Sequence, residues 1–241
     1  ELIRIEKKFY HFFCDYFVET LKLTSISKKE MRKRMVFRGV EQVEQAVHEE
    51  GHNFIFLYLG HYCNWEWIAS LPYTISPSIH CAQIYHPLYN KAVDRFFLKL
   101  RNQFGGECIP MKNTLRRVIE LKREKRPTMI GFISDQLPKW NSMHFFVPFL
   151  HRETAVFTGA EQIGRQVKAV YFFADIIRPR RGYYECTFRR MEMPEVNCTE
   201  YDMTAMFMEQ LEQMIRKAPQ YWLWTHKRWK RTKEEWKDMI I

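Results

Sequence analysis

Apolar and polar positions follow two rhythms along the chain, one helical and one strand-like. Residues 9–21 set Phe9, Phe12, Phe13, Tyr16, Phe17 and Leu21 at helical spacing. That stripe suits a helix packed on a core, or one lying at a lipid interface. A strongly basic run, Lys28–Arg38, comes next, and a helix is expected from there to Gly51. Asn53–Gly60 (NFIFLYLG) is a short apolar run bounded by turn residues, which predicts a buried strand. Ile79–Tyr85 predicts a second strand, Tyr89–Gln103 an amphipathic helix, Cys108–Ile109 a short strand and Thr114–Lys125 a basic helix. Thr128–Ser134 (TMIGFIS) predicts another buried strand, with a long loop after it. A helix is expected over Thr154–Gln166, strands over Lys168–Ile176 and Tyr183–Met191, and a last helix over Thr199–Lys217. The last two strands are close enough across RPRRG to pair antiparallel. Strands alternating with helices imply an α/β fold with a central, largely parallel sheet flanked by helices. In such sheets chemistry gathers beyond the carboxyl ends of the strands.

Composition narrows the class. The 241 residues are 46% hydrophobic and 27% charged, with 9 Gly and 10 Pro, which suits a folded chain and excludes collagen-like or low-complexity types. No repeat or linker stands out, so residues 1–241 are expected to form a single domain, with 1–35 as a helical segment near a membrane. Aromatic residues reach 16% and the formal charge is +10, pointing to partners that carry negative charge. Six cysteines (Cys14, Cys63, Cys81, Cys108, Cys186 and Cys198) show no CxxC or CxH spacing. They are expected to be reduced and mostly buried, and no metal set is expected. No apolar run reaches the roughly 18 residues of a membrane span. The sequence begins at Glu1 rather than Met, which leaves room for an N-terminal anchor or leader ahead of it, so membrane attachment is not excluded.

Two strand exits carry reactive groups. The first reads GHYCNWEW, with His61 directly after a strand and Glu66 five positions on. About one His-x4-acid pair is expected by chance in a chain of this composition, so position rather than spacing gives it weight. A carboxylate on one ring nitrogen fixes the tautomer and leaves the other nitrogen as a general base. The alternative is a structural histidine with Glu66 in solvent. The second exit reads SDQLP, where Asp135 could bind a hydroxyl, orient an arginine or cap the turn. Arg101 stands near a helix C-terminus, where a cation is favourable in any case. The tail PQYWLWTHKRWKR mixes Trp222, Trp224 and Trp229 with basic residues; it suits a membrane interface or an amphipathic terminal segment better than nucleic acid. Signatures of a serine elbow, a phosphate loop, a dinucleotide site and a zinc protease are all absent, and Cys63 is expected to be structural.

The ordered segments GHYCNWEW, LYNKAVDRFFLKLRNQFGGECIP, GFISDQLP, FFVPFL, TGAEQIGRQVKAV and PQYWLWTHKRWK resemble the lipid A biosynthesis (late) acyltransferase family, within the wider glycerolipid and lysophospholipid acyltransferases. The resemblance covers roughly 35–231. It implies a glycerolipid-acyltransferase-like fold and a single acyltransferase domain. It implies transfer of a fatty acyl chain from an acyl thioester, on acyl carrier protein or coenzyme A, to a hydroxyl of a lipid A precursor. His61 would be the general base, Glu66 its orienting carboxylate, and Arg101 and Asp135 substrate-binding positions. No cofactor is implied. The expected partners are the thioester carrier, a phosphorylated lipid acceptor and an anionic membrane, at the cytoplasmic face of the bacterial inner membrane. Another lipid acceptor, or a non-catalytic lipid-binding homologue, would fit the same fold. Two departures stand out: Leu150-His151 where the family usually has Gly, and Val156 where it usually has Thr.

Overall fold

The computed structural model describes residues 1–193 and 200–240; Cys198 and the expected helix start at Thr199 lie outside them. In chain order the elements are α1 (Leu2–Lys22), α2 (Lys28–Arg34), β1 (Met35–Arg38), α3 (Val40–His48) and β2 (Phe54–Leu59). A 3-10 helix over Trp65–Tyr73 leads to β3 (His80–Tyr85), α4 (Lys91–Asn102), β4 (Glu107–Pro110), α5 (Thr114–Glu124) and β5 (Thr128–Ile133). The chain continues through β6 (Phe146–Phe149), β7 (Arg152–Ala155), α6 (Gly159–Val167), β8 (Val170–Arg180) and β9 (Tyr183–Met191), and ends in α7 (Asp202–Lys217) and α8 (Lys233–Ile240).

Seven strands form one sheet in the order β1-β9-β8-β2-β5-β3-β4. From β8 to β4 every neighbouring pair is parallel; β9 runs antiparallel to β8, and β1 runs parallel to β9. The expected mostly parallel α/β sheet is therefore present. β2 lies between β8 and β5, and all six of its side chains are buried. A strand covered on both faces has no solvent side on which to place a polar residue, hence the unbroken run FIFLYL.

Three stretches depart from expectation. The basic run itself is divided: α2, capped by the Ser27 hydroxyl accepting from the Glu30 N–H, gives way to strand β1, and the helix expected after the run is α3, from Val40 to His48. Gly39 makes the break before α3 at φ 75°, and a Cβ there would lie 2.6 Å from the Phe188 carbonyl oxygen. The helix expected from Thr154 begins at Gly159, because Thr154 belongs to β7. The long loop after β5 contains the β6–β7 hairpin, whose two-residue tip is Leu150 (φ 48°) and His151 (φ 64°). Positive φ at both positions is what a two-residue hairpin loop of type I′ demands, and glycine is the residue that adopts it without strain. The departure from the family's Gly thus falls where the backbone most needs one.

The aromatic tail straps across the exit of β5, with Trp224, Lys227 and Lys230 left exposed. Trp222 and Arg228 are buried, His226 Nε2 accepts from the Leu137 N–H at 3.1 Å, and Trp229 Nε1 donates to Thr154 Oγ1 at 2.8 Å. Arg231 donates to the Pro138 carbonyl, closing the strap over the turn that follows β5. Helix α1 divides its apolar residues between two faces. Phe9, Phe12 and Tyr16 are buried, whereas Leu2, Ile3, Tyr10, Phe17, Val18 and Leu21 are exposed.

Candidate active site

β2 and β5 are adjacent and parallel, with Leu59 opposite Ile133. The chain therefore leaves both strands at the same edge of the sheet, and the two reactive exits become neighbours. Gly60 makes the close approach possible: a Cβ there would lie 2.7 Å from Leu211 Cδ1 and 3.4 Å from Asp135 Oδ2. His61 follows, and its Nδ1 donates to Asp135 Oδ1 at 2.6 Å. Asp135 Oδ2 accepts from the His61 backbone N–H at 2.9 Å and from Trp222 Nε1 at 2.8 Å.

Asp135 is 1% exposed. Burial alone would push its carboxyl up, but the charge and hydrogen bonds of His61, together with the Trp222 N–H, outweigh it and hold the group below the usual carboxylate range. The ionised carboxylate fixes the proton of His61 on Nδ1. Nε2 then presents a lone pair, with Gln136 Nε2 3.3 Å away. The Leu223 N–H donates to the His61 carbonyl at 3.0 Å, so the strap also pins the main chain of the base.

The carboxylate on His61 is therefore Asp135, which corrects the orienting role expected of Glu66. Glu66 lies in the 3-10 helix after the turn and accepts from Arg101 Nε at 2.8 Å and Nη2 at 2.6 Å. This two-pronged pair ties the turn to the last turn of α4, with Glu66 buried and Arg101 partly exposed. All four expected site residues thus enter the structure as two pairs, His61 with Asp135 and Arg101 with Glu66. Trp65, the residue before Glu66, sets its ring 5.1 Å edge-on from the His61 ring and 4.4 Å from Tyr16, on which it stacks.

The turn between the pairs is strained. Cys63 sits at φ 51°, fully buried, with its N–H donating to the Tyr221 carbonyl at 2.9 Å. Burial raises its thiol far above the ordinary range, so the sulfur stays protonated and is no nucleophile. Cys81 is likewise pushed up to about 12 by burial. Trp222, Gln136 and Tyr16 also reach this region, and none stands in a motif whose spacing points to a catalytic group.

A sequence model of bacterial lipid A biosynthesis acyltransferases matches residues 3–231. A curated relative, a lipid A biosynthesis acyltransferase of Haemophilus influenzae, is 26% identical over 203 residues, which is 82% of this chain and 60% of the relative. The chain thus spans about three fifths of that relative's length. Since the match to the family runs across nearly all of a fold whose sheet edge carries the paired His61 and Asp135, the chain belongs to the bacterial lipid A biosynthesis acyltransferases.

Proposed function

We propose that this chain transfers a fatty acyl group from an acyl thioester to a hydroxyl of a lipid A precursor, with His61 as general base and Asp135 as the carboxylate that orients it. The observation that carries this reading is the 2.6 Å bond from His61 Nδ1 to Asp135, which puts the ring's lone pair on Nε2, where it accepts from the Gln136 amide at 3.3 Å and where an acceptor hydroxyl would deliver its proton. In the reaction, Nε2 takes the acceptor hydroxyl's proton as the oxygen attacks the thioester carbonyl. The new C–O bond gives a tetrahedral oxyanion, and its collapse breaks the C–S bond. The departing thiolate takes the proton back from the imidazolium. Asp135 stabilises that imidazolium while the histidine is charged.

Two side chains are proposed as donors to the oxyanion. The Gln136 amide lies beside Nε2, and Arg101 engages Glu66 through Nε and Nη2, which leaves Nη1 for an oxyanion or an acceptor phosphate. With Cys63 held protonated, direct transfer fits better than an acyl-enzyme intermediate.

The acceptor is proposed to be reached from an anionic membrane at the cytoplasmic face of the bacterial inner membrane. Among the described residues no helix is long and apolar enough to cross a membrane. The exposed apolar side of α1 and the exposed Leu88, Tyr89, Val93 and Phe96 around the start of α4 are the surfaces proposed to lie against lipid. The +10 charge favours both that surface and an acidic acyl carrier protein as donor. Helix α5 is a weaker carrier-docking face than its composition suggests. Arg117 is paired with Glu107, Glu120 and Glu124, and Arg116 with Glu120.

The test is labelled acyl transfer from acyl carrier protein and from coenzyme A to a lipid A precursor in mixed micelles. Acylated precursor with the carrier-protein donor is expected. A folded chain that acylates no hydroxyl of that precursor with either donor would overturn the reading.

A further inference from the structure

The turn that carries His61 is also held by α1, through polar contacts. Asn64 is fully buried; its Nδ2 donates to Glu19 Oε2 at 2.7 Å, and its Oδ1 has no hydrogen-bond partner among the described residues. The same Glu19 oxygen accepts from the Tyr184 hydroxyl at 2.7 Å, and the Glu19 carbonyl accepts from Trp67 Nε1 at 3.4 Å. One helical turn earlier, Tyr16 stacks on Trp65, the residue that packs against His61.

Attachment of α1 does not by itself require this arrangement. Asp15 binds Arg178 at 2.6 Å and Arg181 at 2.9 Å and 2.6 Å, anchoring α1 to β8 and its following turn without touching residues 61–66, and Glu19 adds only a longer ion pair to the same Arg178 at 3.7 Å. Burial pushes the Glu19 carboxyl up, against the hydrogen bonds from Tyr184 and Asn64 and the charge of Arg178. An apolar side chain would fill the space at lower desolvation cost, but it would leave the buried Asn64 amide without a partner on either atom.

We propose that Glu19 is a positioning residue for the reaction at His61. It holds Asn64, and through Asn64 the strained turn at Cys63, so that Trp65 meets His61 and Glu66 meets Arg101. This inference rests on the reading of His61 as the base.

The test compares E19A, E19Q, N64A and D15A in the full chain by acyl-transfer kinetics, by melting temperature and by NMR of the His61 ring. A displaced catalytic group costs rate rather than affinity, so E19A and N64A are each expected to lower kcat about tenfold or more with little change in KM. The double variant should be no worse than either single one, since both break the same link. E19Q, whose amide oxygen can accept from Asn64 and Tyr184, should restore most of the loss. D15A should lower the melting temperature and leave kcat at the parent value. The His61 ring resonances should move in E19A and N64A and stay in place in D15A, a result that does not depend on which donor or acceptor is correct. If E19A does not fold, N64A carries the comparison, because it keeps the contacts of Glu19 to Tyr184 and Arg178. Equal loss of kcat in D15A and E19A, or unmoved ring resonances in folded E19A and N64A, would overturn the proposal.

Discussion

His61 and Asp135, 74 positions apart, meet through a 2.6 Å hydrogen bond because β2 and β5 end side by side in the sheet. Asp135 Oδ2 also accepts from the His61 backbone N–H, so one carboxylate sets both the ring and the main chain of the same residue. Asp135→Asn keeps the shape but offers an amide in place of a charged acceptor. It can turn its NH2 toward Nδ1 and so favour the wrong tautomer. Turnover is expected to fall by about 10²-fold to 10⁴-fold, with the fold retained. Steady-state kinetics of the purified variant check this.

Glu66 is expected to behave differently, since its partner is Arg101. Glu66→Gln removes the charge from a pair in which the carboxylate is buried and the guanidinium only partly exposed. It should destabilise the protein by about 3 kcal/mol, the scale of breaking a buried ion pair. Urea denaturation measures this. A loss below about 1 kcal/mol, the worth of a surface pair, would show that the Arg101–Glu66 contact is not maintained in solution. The fall in turnover should be smaller than for Asp135→Asn.

The β6–β7 tip offers a gain. His151 is exposed at φ 64°, next to Leu150 at φ 48°. His151→Gly should raise stability by about 1 kcal/mol, because glycine adopts this conformation without the Cβ clash. It also removes the exposed contact to Arg216, which contributes little. Thermal melts of the two proteins, at equal pH, decide the sign.

Asp135 also shapes the response to acid. Its carboxyl lies below the usual range because His61 and Trp222 outweigh burial, so its contribution to stability is full above the unfolded value of about 4. That contribution is lost as the pH falls through the lower folded value. Asp135→Asn should therefore show a shallower fall of unfolding free energy below about pH 4 than the parent chain. Identical slopes would mean that the carboxyl is not held down in the folded state.

Much of the frame was legible in the chain. The runs NFIFLYLG and TMIGFIS are buried strands because strands covered on both faces admit few polar residues, and that leaves a clear mark. Both reactive exits could be located for the same reason. Their partnership could not. His61 and Glu66 are close in sequence, whereas His61 and Asp135 are joined only by strand order, a long-range property that no local spacing encodes. Arg101 reaches Glu66 through the packing of α4 against the 3-10 helix, which is equally non-local. β1 was hidden inside a basic run, because its four residues alternate in burial at the edge of the sheet and resemble a helix end. The tail's internal role was not legible from composition: its tryptophans and cations suit a bilayer or a terminal segment alike, and only the packing shows Trp222 bonded to Asp135 and Arg228 buried against Ala155.

Single-turnover acyl transfer by His61→Ala tests most directly whether this ring is the base. The ring is at the sheet edge with a side chain 18% exposed, so its removal should leave the fold and donor binding intact. The rate of ester formation should fall by about 10²-fold or more across neutral pH, the usual contribution of a positioned acid–base group. A folded His61→Ala protein that forms the ester at close to the parent rate would contradict the assignment of His61 and Asp135 as the catalytic pair.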